Sequence, residues 1–291
     1  MNGLYILLSG FTASLAAAGM CSLDLLRCRL LLSLFEVGHG MYPAAYISMG
    51  AAIRNAEILN IHRNVEGLTS CAETNGARHV WLGLVILDRY ISLEMERAPS
   101  IPANTNRANK SMPRELSRLS QASNLLSDVI SHVHGPSPYA HKSAEAIPIL
   151  ETLVSFRDSH EPQSPDTGLC PATALCSSAF MIILEFGYRY DHPTGKDCSP
   201  LAFALLEAEV QFLVSLDDMP QEPSMVEGNV PVFAIHSIGK AAIIILRHLK
   251  ESEITDVPVS IERLKGLLRR ISRRWHAAAA YFDKIQQEGN V

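Results

Sequence analysis

From Arg78 to Arg97 the chain reads RHVWLGLVILDRYISLEMER, and that run limits the fold more than any other. Val80, Leu84, Leu87 and Ile91 make one row at helical spacing, Trp81 and Val85 a second, and Leu82, Ile86 and Leu93 a third. A helix that is apolar on nearly every side belongs inside a bundle. Other apolar runs also recur at steps of three and four, with no matching set of alternating strand patterns and no internal repeat. The predicted fold class is therefore all-α, a multi-helix bundle or array of roughly ten or more helices. At 291 residues, 47% hydrophobic and 19% charged, the chain buries a large core and is read as a single domain over 1–291.

Proline marks several helix starts: Pro43 before AAYISMGAAIRNAEILN, Pro171 before ATALCSSAFMIILEFGY, and Ser199-Pro200 before LAFALLEAEVQFLVSL. Loops are expected at Pro99–Pro113, His134–Pro138, Ser159–Pro171, Asp191–Ser199 and Asp217–Pro231, which are rich in Pro, Ser, Asn and Gly. Near the end, Ile261, Leu264, Leu268, Ile271, Trp275, Ala278, Phe282 and Ile285 keep a heptad seam, read as one helix packed on its own domain rather than a dimer coiled coil. Beside it Arg263, Lys265, Arg269, Arg270, Arg273 and Arg274 could suggest a nucleic-acid or import patch, but a solvated helix face is favoured.

Charge and cysteine usage exclude further classes. With 25 Lys and Arg against 30 Asp and Glu the net charge is −5, so no global positive field draws the chain to phosphate backbones. The six cysteines form no Cys-x-x-Cys pair and no dense disulfide framework; Cys21 and Cys28 are expected as buried small hydrophobes. Residues 1–23 carry no charge and could span a bilayer. The absence of a basic start, the interruptions at Gly3, Ser9, Gly10, Thr12, Ser14 and Gly19, and the stripe Leu4, Leu8, Phe11, Leu15 and Ala18 favour a core-like helix instead. A chain opening on such a helix is expected to begin partway into a larger domain.

Two constellations resemble chemistry. Glu36 and His39 have the Glu-x-x-His spacing of a di-iron ligand pair, but there is no second copy, and Gly38 and Gly40 mark a helix end. His39 is read as structural. Asp88, Ser92 and Glu96 project three oxygens along one helix face, as in Mg²⁺-binding terpene cyclases. The companion Asp-Asp-x-x-Asp is missing, since Asp217-Asp218-Met219-Pro220-Gln221 comes later in the chain and lacks the last carboxylate. Neither a dinucleotide fingerprint, a phosphate loop nor a nucleophile elbow occurs. No catalytic or metal-binding residue is assigned.

Asp88 and Arg89 instead sit in an apolar surround, where a charge is tolerated only when paired and hydrogen-bonded. A cation is expected near Asp88, with Arg54 the first candidate and Arg78 and Arg97 behind it.

RHVWLGLVILDRYISLEMERAPSIP resembles the Arg-x-x-Trp…Leu-Asp-Arg…Ser…Arg-Pro signature of the fungal-specific transcription factor domain, the middle homology region of zinc binuclear cluster factors. LLLSLFEVGHGMYPAAYISMGAAIRNAEILNIHR is similar to that family's upstream block, and ISRRWHAAAAYFDKI to its closing helix. The matching motif residues include Glu36, His39, Pro43, Arg54, Arg78, Trp81, Asp88, Arg89 and Arg97, strongest over 20–105; Gly83, Glu96 and Ala98 depart from the pattern. The resemblance implies a nuclear (alternatively cytoplasmic), non-catalytic domain that modulates RNA polymerase II transcription. Promoter DNA would be reached only indirectly. Partners would be a second copy, the transcription machinery or a small-molecule effector, with no membrane. The family's zinc cluster is absent, because six cysteines scattered between positions 21 and 198 cannot form it, so no cofactor is expected. The alternatives are a terpene-cyclase-like enzyme and a membrane-anchored helical scaffold.

Overall fold

The structure is a computed structural model that describes residues 3–61, 71–102, 113–135, 139–159, 169–190, 200–215, 230–251 and 259–290. Among the described residues there are eleven α-helices and no strand, as the periodicity predicts. The chain divides into two compact units, Met1–Asn109 and Lys110–Val291.

The first unit contains α1 (Gly3–Ala17), α2 (Leu23–Gly38), α3 (Tyr42–Ile58) and α4 (Cys71–Glu94). Ser22 caps α2 by accepting the Leu25 N–H at 3.2 Å, and Pro43 occupies the first turn of α3. All four helices end the same way. A residue in the left-handed region follows each: Gly19, Gly40, Asn60 and Glu96. Its N–H and that of the next residue bond back to carbonyls of the last turn, as Gly40 to Val37 and Met41 to Glu36 at 3.0 and 2.8 Å. The α2, α3 and α4 helices pack on one another, while α1 rests on α2. Leu30 of α2 fills the space over Gly83 of α4, where a Cβ would lie 2.6 Å from its Cδ2. The departure at Gly83 thus admits a close approach of two helices.

Two expectations for this unit fail. The stripe Leu4, Leu8 and Phe11 does not face a core: these side chains are 67%, 44% and 60% exposed, and Thr12 is the residue of α1 that is buried. Apolar periodicity reports a face, and here the polar face turned inward. Cys28 is exposed rather than buried, and Cys21 is half-buried, its thiol donating to the Asn55 carbonyl at 3.4 Å.

The second unit contains α5 (Arg114–His134), α6 (Tyr139–Asp158), α7 (Pro171–Tyr190), α8 (Pro200–Ser215), α9 (Ala234–Glu251), α10 (Val259–Ile271) and α11 (Ala277–Asn290). Pro171 and Pro200 begin their helices as expected. The hub is α7, which buries Leu175, Ala179, Phe180, Met181 and Leu184 and packs on α5, α6, α8 and α9. Glu185 of α7 accepts from Lys240 of α9 at 2.7 Å and from Arg247 at 3.2 Å; Arg247 also holds Glu288 of α11 at 2.7 Å. Arg157 pairs at 2.9 Å with Glu209, a fully buried carboxylate on α8.

The single closing helix is a further correction. A turn at 272–276 separates α10 from α11, with Trp275 Nε1 donating to the Val230 carbonyl at 3.4 Å. Ile261, Leu264, Leu268, Ile271, Ala278 and Ile285 are nonetheless buried, on two helices that both pack on α9. Heptad stepping records which residues are buried, not whether the backbone between them is continuous. Most of the expected loops lie outside the described residues.

Candidate functional site

The signature helix α4 is a core helix: Val80, Trp81, Leu84, Val85, Leu87, Tyr90 and Ile91 are all buried, and so are Asp88, Arg89 and Ser92. Asp88 Oδ2 accepts the backbone N–H of Ile101 at 2.8 Å, and the carboxylate also takes hydrogen bonds from the backbone and hydroxyl of Ser100. Burial raises the Asp88 pKa above its ordinary value, against the lowering pull of those hydrogen bonds and of Arg89. The expected partner Arg54 is elsewhere. It is exposed, lying against Gly50 of its own helix. Arg97 is exposed too, stacked 5.4 Å from the Tyr46 ring centroid on α3. Arg78 is half-buried. The charge on Asp88 is met chiefly by backbone donors from the segment that follows the helix.

That segment turns back because Glu96 takes φ +51°, letting Arg97 N–H bond to the Ser92 carbonyl at 2.9 Å. The turn leads through Pro99 to Ile101, which is buried. The sequence departure at Glu96, where glycine is usual, falls on the position where a side chain is least favoured.

The same geometry separates the three oxygen residues. Asp88 and Ser92 are enclosed in the core, while Glu96 is exposed beyond the helix end. They present no common open face to a metal. Asp217 and Asp218 lie outside the described residues. Among the described residues, no group of three His, Cys, Asp or Glu side chains is placed to hold a metal ion. No helix there is long and apolar enough to cross a membrane, and α1 ends at Ala17.

Glu36 and His39 part at the end of α2. His39 caps it, its Nδ1 2.9 Å from the Phe35 carbonyl and its ring stacked on Phe35 at 3.8 Å. Glu36 is buried beneath α1 and accepts from Tyr5 Oη at 2.8 Å and Ser48 Oγ at 3.0 Å. Burial raises its pKa, partly offset by those two hydrogen bonds; Tyr5 is pushed up to about 12 by burial and by Glu36. One turn and two turns before Glu36, on the same face, stand Ser33 and Arg29, both buried. Tyr5, Arg29 and Ser33 are not singled out by the sequence, and Thr12 enters there only as an interruption of an apolar run. Their signal was there as polar spacings of four and three in two successive helices.

In the second unit His236 is fully enclosed, with the Tyr281 ring edge-on at 6.2 Å. Burial, then Lys240 and Lys284, hold its pKa well below the ordinary value.

Comparison with known proteins agrees with the motif blocks. Residues 8–125 match the family described as fungal specific transcription factor domain. A 61-residue stretch is 36% identical to Transcription factor BOA15 of Botryotinia fuckeliana (strain B05.10), covering 21% of this chain and 34% of that protein. The chain thus matches about a third of that relative's length. No solved structure matches. Segment 8–125, which holds the Glu36–Pro43 block and the α4 signature, is thus similar to the fungal specific transcription factor domain family.

Proposed function

We propose that this chain is the regulatory domain of a fungal RNA polymerase II transcription factor, acting in the nucleus without catalysis. Residues 1–291 serve as one regulatory domain, and promoter DNA is reached through a zinc-cluster module outside them. The observation that carries this reading is the family match over 8–125. The placement of the signature charges supports it: Asp88 is occupied in holding Ser100 and Ile101, so it has no free role as acid, base or ligand. The terpene-cyclase alternative has no comparable support, because Asp88, Ser92 and Glu96 do not converge.

The test is a reporter driven by an unrelated DNA-binding module fused to this chain. The fusion should change output several-fold relative to the module alone, in either direction. Output equal to that of the bare module would overturn the reading, as would sequence-specific DNA retention by the unfused chain at controlled salt.

A further inference from the structure

The helix α1 is inside out. Leu4, Leu7, Leu8 and Phe11 face outward, while Tyr5 and Thr12 turn toward α2. The two helices run antiparallel, for Tyr5 Oη donates to Glu36 at 2.8 Å and Arg29 Nη2 donates to the Thr12 carbonyl at 3.2 Å, seven residues apart on each helix. Beneath α1 lies a polar stripe of α2, Arg29, Ser33 and Glu36, at 8%, 0% and 1% exposure. Each carries an enclosed atom with no hydrogen-bond partner: Arg29 Nε, Ser33 Oγ and Glu36 Oε2. Arg29 has no carboxylate within ion-pair distance among the described residues.

Buried polar atoms are as a rule satisfied, and an uncompensated buried guanidinium is strongly unfavourable. Three such atoms lie on one face of α2, under a helix that buries Thr12 and packs chiefly on α2, so the stripe can take a ligand that meets all three. Arg29 offers donors in a planar fork, which suits a carboxylate. Glu36 Oε2 offers an acceptor, which suits an ammonium. Positions 29 and 36 are about 10 Å apart along the helix axis at the α-helical rise per residue. A lone anion would leave Glu36 Oε2 without a donor, and a lone cation would leave Arg29 Nε without an acceptor.

We propose that Arg29, Ser33 and Glu36, with α1 as their movable cover, bind a small elongated zwitterion, its carboxylate on Arg29 and its ammonium on Glu36. This deepens the regulatory reading by naming the class of effector, and rests on that reading for its role. Binding is measured on the purified chain without DNA, so either can fail alone.

The experiment is titration calorimetry of the whole chain with unbranched ω-amino acids from 4-aminobutanoate to 8-aminooctanoate, with octanoate and octylamine as single-ended controls. Saturable binding is expected, strengthening with length and roughly tenfold or more tighter than either control. Arg29→Met and Glu36→Gln should each weaken it by about the same factor. Should those variants not fold, hydrogen exchange of the unaltered chain decides: 8-aminooctanoate should change the protection of α1 and α2 amides. No saturable binding across the series, octanoate binding as tightly as the zwitterion, or unchanged exchange in both helices would overturn the proposal.

Discussion

Asp88 Oδ2 and the backbone N–H of Ile101 meet at 2.8 Å, so a buried carboxylate in the middle of α4 fastens the segment that leaves the helix end. Replacing Asp88 with Ala removes this bond and the ones from Ser100, and should cost about 2–4 kcal/mol. Asp88→Asn, which keeps one acceptor oxygen, should cost less than half as much. Denaturant midpoints followed by Trp81 fluorescence in a Trp275→Phe background report the first unit. An unchanged midpoint for Asp88→Ala would contradict the assignment.

Glu96 holds a left-handed φ of +51°. Glu96→Gly removes that steric cost and should stabilise the first unit by about 1 kcal/mol, an inversion of the usual effect of glycine. A lower midpoint in the same assay would show that the Glu96 side chain contributes more than its backbone costs.

Gly239 of α9 lies against the Tyr281 ring of α11, in the space a Cβ would need. Gly239→Ala should therefore destabilise the second unit by about 1–3 kcal/mol, despite alanine's better helix propensity. Trp275 emission in a Trp81→Phe background measures it. Pairing it with Tyr281→Leu should recover part of the loss.

The two units should respond to pH with opposite sign. His236, its folded pKa held well below 6.5, stays neutral in the folded second unit while the unfolded chain takes up a proton below about 6.5. The unfolded state binds more protons there, so stability falls as pH drops through that value. Asp88 and Glu36 have folded pKa values raised by burial. The folded first unit keeps protons that the unfolded chain has released, so their contribution falls as pH rises from about 4 through the raised values. Midpoints at pH 5.5 and 7.5, read separately at Trp275 and Trp81, test the pair. A His236→Gln variant should lose the acid sensitivity of the second unit.

Much of this was legible in the chain. Proline at Pro43, Pro171 and Pro200 fixed three helix starts, and the all-round apolarity of α4 placed it in a core. What escaped has a common cause. The partner of Asp88 is a main-chain N–H thirteen residues on, and backbone donors leave no mark in a sequence, so a cation at Arg54 was the visible candidate. The turn between α10 and α11 preserves the heptad stepping, so burial was read correctly and continuity was not. In α1 both faces were visible, but which one turns inward depends on Arg29, Ser33 and Glu36 of the next helix.

The central claim is that the signature charges hold a regulatory fold together rather than perform chemistry. It is tested most directly by reporter output of the fused chain across Asp88→Ala, Asp88→Asn, Glu96→Gly and Gly239→Ala, plotted against the folded fraction of each variant. Output should follow folded fraction along one curve, with Asp88→Asn close to the unaltered chain. A fully folded Asp88→Asn chain without regulatory output would contradict it.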